Sequence, residues 1–444
     1  MDESELLALY KKVYDFVNER NIYEVRNIAR AFGVNAPCEN RKHDLIVKLI
    51  QVASGAVPPD PPSNRGARVK AGAASEQNIS RIRALIEECR AETPYRTETV
   101  EPVRMELHDR AGSKKEYGYT DTCYRGILEV DGQGRGYLRS VQCDARENEL
   151  WVSERTIRGY FLRTGDFVSG YASLDGELVQ IETVNGKTPL FKERKRFEEL
   201  APLYPDRRLT LGSGDAIMHA VDLLCPVGMG QRAVIYAQPG TGKTTFIRRA
   251  GQSVAQSGEA ELVFILLNQR PEEEAEMRKT FPFSTVAASS FDKPCAQNAR
   301  TALLALERAK RIAEEGGNAV VFLDSLTALA AAFEAAGMAE AGYAVKRFFA
   351  AARKLDGAGS LTIVATALLQ EERTYGEAAN AVIRFSEEIA SRGIVPAVDF
   401  AKSFTKRAET LLTEEERAHA AELRSAAAAG GTEAVLRAME EKGF

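Results

Sequence analysis

A chain of 444 residues is too long for one ordinary hydrophobic core, and roughly three domains are expected from length alone. The composition, 44% hydrophobic and 27% charged with a mean hydropathy of −0.27, is that of a globular protein, and no apolar stretch approaches the ~20 residues that cross a bilayer. A net charge of −4 excludes nucleic-acid binding by bulk positive charge, so any such binding belongs to a local surface.

The chain starts Met1-Asp2-Glu3-Ser4-Glu5, acidic where a secretory leader is basic, and a cytoplasmic location with no membrane partner is expected. Residues 1–55 read as a small helical module. Leu6, Leu9, Tyr10, Val13, Phe16 and Val17 follow helical spacing, a second stripe runs through Val25, Ile28, Ala29 and Phe32 to Gly33, and Lys42 to Ile50 forms a third helix. Three short helices with little core suit docking rather than catalysis. Residues 56–98 read as a linker, with Pro58-Pro59-Asp60-Pro61-Pro62-Ser63-Asn64-Arg65-Gly66 breaking all periodicity. Within it, Ile79 to Arg90 makes one more helix with Ile82, Leu85, Ile86 and Cys89 on one face, read as a solvated linker helix or, alternatively, as a partner-binding one.

Residues 117–185 change to short alternating strands with glycine turns: Gly126 to Val130, Gly136 to Ser140, Leu150 to Val152, Asp166 to Tyr171 and Glu177 to Ile181. Five strands in so short a span suit a small barrel of the OB type, whose sheet face stacks single-stranded nucleic acid on aromatics beside arginines. Arg135, Tyr137, Arg139 and Trp151 are the candidates for contact with a single-stranded nucleic acid.

From about residue 200 to 412 strands and helices alternate, as an open parallel sheet requires. The strand Ala233 to Tyr236 runs into Ala237-Gln238-Pro239-Gly240-Thr241-Gly242-Lys243-Thr244 and then Thr245-Phe246-Ile247. Strand, glycine turn and helix start in this order make a phosphate-binding loop, in which Gln238 to Thr245 are expected to cradle a nucleoside triphosphate, Lys243 to reach the β- and γ-phosphates and the Thr244 hydroxyl to ligand Mg²⁺. Ala237 stands at the first position of G-x-x-x-x-G-K-[ST]. Further strands are expected at Glu261 to Leu267, Ala319 to Leu323 and Ser360 to Thr366, and Asp324, closing an apolar strand, sits where Mg²⁺ is held through water. Residues 413–444 form a helical tail rich in Ala and Glu. The six cysteines are scattered without a C-x-x-C pair and the four histidines are dispersed, so neither a zinc site, a disulfide framework nor histidine catalysis is expected.

A helical N-terminal module, an OB-like barrel and a RecA-type core in this order resemble the bacterial transcription termination factor Rho family. The likeness is carried by Phe161-Leu162-Arg163-Thr164-Gly165-Asp166, Cys225-Pro226-Val227-Gly228-Met229-Gly230-Gln231-Arg232, Arg270-Pro271-Glu272-Glu273, Phe322-Leu323-Asp324-Ser325, Lys346 to Arg353 and Gly359-Ser360-Leu361-Thr362-Ile363. It implies a hexameric ring that binds RNA on the barrel, draws it through the channel and hydrolyses ATP between subunits, with RNA polymerase or a complete Rho as further partners. An Ala at the first loop position is also what that family shows.

The resemblance fails where the motor would be driven. The family's D-E-R-P-E-E, whose glutamate activates water, is here Asn268-Gln269-Arg270-Pro271-Glu272-Glu273, and Gln269 orients water without taking its proton. The family's S-R-K-I-A-E-K-R-V-F-P-A is here Ser386-Glu387-Glu388-Ile389-Ala390-Ser391-Arg392-Gly393-Ile394-Val395-Pro396-Ala397, so both arginines that face a neighbour's ATP become Glu387 and Gly393, with Arg392 the adjacent substitute. Channel arginines are replaced by alanines in Ala328-Leu329-Ala330-Ala331-Ala332, and the second channel loop shrinks to the acidic Gln370-Glu371-Glu372-Arg373-Thr374-Tyr375-Gly376. On the barrel, G-F-G-F-L-R becomes Gly134-Arg135-Gly136-Tyr137-Leu138-Arg139. The expectation is a Rho-type protein that binds ATP and RNA with impaired hydrolysis and translocation. The alternatives are an active RNA-dependent ATPase and helicase, and a non-motor regulator that joins or blocks rings of a true Rho.

Overall fold

The computed structural model describes residues 10–18, 20, 22–32, 34, 42–53, 78, 80–82, 84–86, 119–144, 150–189, 191–212, 215–290 and 294–441. The chain falls into two compact units, Met1–Val100 and Glu101–Phe444.

In the first unit α1 (Lys11–Asn18), α2 (Ile22–Ala31) and α3 (Lys42–Ala53) pool the apolar stripes read from the sequence: Val13, Val17, Val25, Ile28, Leu45 and Leu49 share one core. Leu6, Leu9, Gly33, Cys89 and the proline-rich stretch lie outside the described residues. One expectation is corrected here. Ile82, Leu85 and Ile86 are buried in this same core rather than solvated, because three apolar residues on one helical face need a partner and the module's own core is too small to close alone.

The second unit begins with a five-stranded antiparallel sheet of order β3-β2-β1-β4-β5, made by β1 (Tyr119–Val130), β2 (Gly136–Arg139), β3 (Leu150–Val152), β4 (Phe167–Ser173) and β5 (Leu178–Val184), with α4 (Glu154–Gly159) between β3 and β4. A bridge from Trp151 to Glu177 closes it towards β5. Strand alternation sends Leu128, Leu138, Val152, Val168, Leu178 and Ile181 into the barrel core, while Glu129, Tyr137 and Trp151 stand in register on the outer face.

The rest of the unit is a mixed nine-stranded sheet with helices on both faces. After the short strands β6 (Pro202–Leu203) and β7 (Arg208–Leu209), α5 (Ala216–Leu224) and β8 (Val227–Gly228), the chain lays down β9 (Arg232–Tyr236), α6 (Lys243–Ser257), β10 (Glu261–Gln269), α7 (Pro271–Thr280) and β11 (Thr285–Ser290). It continues through α8 (Cys295–Glu314), β12 (Asn318–Asp324), α9 (Leu326–Ala335), α10 (Ala341–Phe349), β13 (Arg353–Leu355) and β14 (Ser360–Ala367). The last elements are α11 (Glu372–Tyr375), β15 (Ala381–Arg384), α12 (Glu387–Ser391), β16 (Phe404–Thr405) and α13 (Glu414–Glu441), the last interrupted at Gly430 and Gly431.

The order β11-β10-β12-β14-β9-β15 is parallel throughout, with β16 antiparallel at one edge, β13 pairing with β14 and β6 with β13. Apolar runs without alternation, such as Leu262 to Leu267 and Ala319 to Leu323, are what a strand covered on both faces requires. One face packs on α8, α9 and α10, the other on α5, α6, α7 and α13. Phe264 anchors the second, stacked on Phe322 at 5.4 Å and tilted against Phe281 at 4.5 Å.

The barrel is seated on α8. Gly165, at φ 90°, lets its turn press against that helix: a Cβ there would lie 2.4 Å from the Glu307 carbonyl carbon. Around this contact Arg163 meets Glu314 at 2.8 Å, and Arg308 donates to Asn185 at 3.0 Å. Ile127 and Cys143 of the barrel are buried in the core on the α8 face of the large sheet. The barrel loop also covers a sheet edge, where the Val286 amide of β11 donates to Gln142.

Candidate functional site

Strands β9, β10, β12 and β14 end on one rim of the sheet, where parallel α/β folds bind ligands. From β9 the Ala237 amide donates to Ala367 and the chain then turns through Gly240 (φ 81°) and Gly242 (φ 94°). The two glycines do different things. A Cβ on Gly242 would lie 2.7 Å from Val395 Cγ1, whereas Gly240 faces open space. Beneath the loop the Thr241 hydroxyl donates to Gln238 O at 2.7 Å and Thr241 O accepts from Ala397 at 3.1 Å. Helix α6 then starts at Lys243 with no side chain capping its first amides, and Thr244 is exposed in that first turn. An uncapped 15-residue helix behind an open glycine turn is an anion cradle of the shape a polyphosphate fits.

Asp324 ends β12 across from this loop, 9% exposed. Thr366 of β14 donates to its Oδ1 at 2.6 Å, and Gln269 Nε2 makes a long contact of 3.4 Å to its Oδ2. Gln269 reaches it through a β-bulge: pairing with β11 slips between Leu267 and Gln269, and Asn268 takes φ 56°. The Asn268 conformation is held by Asn298 of α8, whose Nδ2 donates to Asn268 Oδ1 at 3.1 Å. Asparagine tolerates the left-handed region, and this was the one sequence signal for the bulge. The donor set of Thr244 hydroxyl and Asp324 carboxylate is all oxygen, which suits Mg²⁺ with retained waters.

Glu387 and Gly393 are exposed at α12 and after it. Arg392 is exposed as well, with its guanidinium engaged by Glu388 and, at 3.0 Å, by Glu433 of the same chain. These two carboxylates raise its pKa further. Sequence reading missed Arg384, which ends β15 beside Tyr236 and pairs with Glu372. The segments that follow β12 and β14 touch, since the Thr327 hydroxyl hydrogen-bonds the Glu371 carboxylate, which also accepts from the Leu368 amide at 3.1 Å.

On the barrel, Tyr137 and Trp151 are cross-strand neighbours, both half-buried, and the exposed Arg135 has its guanidinium 5.1 Å from the Trp151 ring. Arg139, expected among the nucleic-acid contacts, is buried instead. It is 4% exposed, its guanidinium lies 5.3 Å over the Tyr137 ring, and its Nε donates to Glu129 Oε2 at 2.6 Å. The strand period puts Arg139 on the outer face as read, but that end of the face is covered by α8. Glu129 also accepts from Arg300 of α8, 2.7 Å from Nη2 to Oε2. Burial raises the Glu129 pKa, yet the hydrogen bonds from Arg300 and Arg139 hold it below the usual carboxylate range.

Among the described residues no helix is long and apolar enough to cross a membrane. Residues 124–190 match the Rho termination factor RNA-binding domain, and residues 218–405 match the nucleotide-binding domain of the ATP synthase alpha/beta family. The chain is 38% identical over 339 residues to transcription termination factor Rho of Streptomyces coelicolor, covering 71% of this chain and 81% of that one. Against Rho of Escherichia coli K12 identity is 36%, covering 66% and 77%, and against Rho of Bacillus subtilis 34%, covering 65% and 75%. An RNA-binding barrel followed by a RecA-like nucleotide-binding core, at these identities and over this much of each chain, makes the protein a member of the transcription termination factor Rho family.

Proposed function

We propose that this Rho family member binds ATP with Mg²⁺ and single-stranded RNA as a ring-forming protein whose hydrolysis and translocation are impaired. In this reading Gln238 to Thr245 wrap the phosphates, Lys243 pairs with the β- and γ-phosphates, and Thr244 and Asp324 hold the metal. The metal would draw charge from the phosphate oxygens. RNA lies across Tyr137 and Trp151 with Arg135 on its backbone, and Arg139 supports Tyr137 from behind.

The observation that carries the reading is the amide of Gln269 at Asp324. A carboxamide donates to Asp324 and orients a water, but at neutral pH it takes no proton, and loss of a general base costs about 10²- to 10⁴-fold in rate. Arg392 supplies no ready substitute finger while Glu388 and Glu433 hold it. Ring assembly is the part of this reading that family membership supports.

The test is titration of the full chain with a fluorescent ATP analogue alongside RNA-stimulated phosphate release. Binding lost in Lys243→Ala, with little release from the unmodified chain, is the expected result. Failure to bind at millimolar nucleotide would remove the nucleotide from the reading, and brisk RNA-stimulated release would replace it with the active helicase.

A further inference from the structure

The barrel face and the nucleotide rim are joined inside one subunit by a continuous run of contacts through the start of α8. Tyr137 lies against Arg139, Arg139 against Glu129, and Glu129 against Arg300, which is 171 residues away in sequence. Arg300 shares the first turns of α8 with Asn298, so one rigid stretch of helix carries both. Asn298, 1% exposed, holds the left-handed Asn268, and that bulge aims Gln269 at Asp324. Among the described residues the hold is a single hydrogen bond, since the buried Asn298 Oδ1 has no partner there. A carboxamide satisfied at one end only gives up its contact more readily than one satisfied at both.

We propose that Glu129, Arg300 and Asn298 are positioning residues that couple single-stranded RNA on the barrel to the nucleotide site of the same subunit. This rests on the RNA and ATP reading above and adds its route. A base stacked on Tyr137 presses on Arg139 and shifts the carboxylate shared with Arg300. The first turn of α8 moves with it, and with that turn the clamp on Asn268. Coupling between sites is reciprocal, so nucleotide must change RNA affinity by the factor by which RNA changes nucleotide affinity, typically about 5- to 150-fold.

The test uses the full chain and a fluorescent pyrimidine oligonucleotide of about four nucleotides, short enough to occupy one barrel. Its affinity is measured with and without a non-hydrolysable ATP analogue and Mg²⁺, and the ratio is the readout. The unmodified protein should give a ratio of about 5 or more, Asn298→Ala and Arg300→Ala should bring it close to 1, and Arg300→Lys should recover part of it. A residue with a structural role alone would lower the melting temperature and leave the ratio where it was. A ratio near 1 in the unmodified protein, with both ligands binding, overturns the relay alone. A large ratio that survives Asn298→Ala and Arg300→Ala overturns it too, by placing the coupling elsewhere. Absence of oligonucleotide binding overturns the RNA reading and the relay together.

Discussion

Replacing Tyr137 by Ala tests the RNA face most cleanly, because the ring is half-buried and its loss opens no sealed core. Base stacking on an aromatic contributes about 1 to 3 kcal/mol. Here one side of the ring is taken by the Arg139 guanidinium at 5.3 Å, which leaves one face for a base and puts the expectation at the lower end, about 1 to 2 kcal/mol. That corresponds to about 5- to 30-fold weaker binding of a short pyrimidine oligonucleotide in a fluorescence anisotropy titration. Salt dependence separates stacking from charge. Tyr137→Ala should leave the slope of log affinity against log salt unchanged, whereas Arg135→Ala, removing one exposed cation from a single strand, should reduce it by about 0.7. Arg139→Ala should leave the slope alone and lower the melting temperature, since its charge is buried against Glu129. Unchanged affinity in a folded Tyr137→Ala protein would refute the assignment of RNA to this face.

Gln269→Glu should raise turnover little, because Glu387 and Gly393 still offer no arginine and such a finger contributes about 10³ to 10⁵ in rate; turnover near one per second in this variant would show that the base alone was missing. The same variant sets a carboxylate at the 3.4 Å contact with Asp324, so without Mg²⁺ its melting temperature relative to the unmodified protein should fall as pH rises from 5 to 8. Gly165→Ala combines a left-handed φ with a Cβ 2.4 Å from the backbone of α8, and should cost about 2 to 5 kcal/mol in urea unfolding; a change under about 0.5 kcal/mol would mean that the seam yields easily. Burial pushes the Asp222 carboxyl up to about 6 despite hydrogen bonds from the Gly212 and Leu211 amides. Its folded pKa exceeds its unfolded one, so its contribution falls as pH rises from about 4 to about 6 and is flat above. The stability difference between the unmodified protein and Asp222→Asn should change over that window only.

What the sequence made legible was local. The phosphate loop declares itself through strand, glycines, lysine and hydroxyl within a dozen residues, and Asp324 through the apolar strand it ends. The barrel declares itself through alternation, and the core strands through unbroken apolar runs. Two of the six parallel strands escaped notice: Thr285–Ser290 is small and polar enough to read as a loop, and Ala381–Arg384 is only four residues long. The fate of Arg139 was hidden for another reason. Period-two alternation assigns a residue to a face, but what covers that face is decided by α8, whose Arg300 meets Glu129 across 171 residues. The solvated reading of Ile82, Leu85 and Ile86 failed likewise, because helical spacing shows an apolar face and not its partner.

The most direct measurement is steady-state phosphate release by the purified full chain at saturating ATP and Mg²⁺, with and without single-stranded RNA. With no carboxylate base at Gln269, a rate at or below about 0.01 per second without stimulation by RNA is expected, at least a hundredfold under the rate of about one per second that is ordinary for enzymes. Release near one per second that depends on RNA would contradict it, and Arg392 would then be the first residue to test as the finger of a working motor.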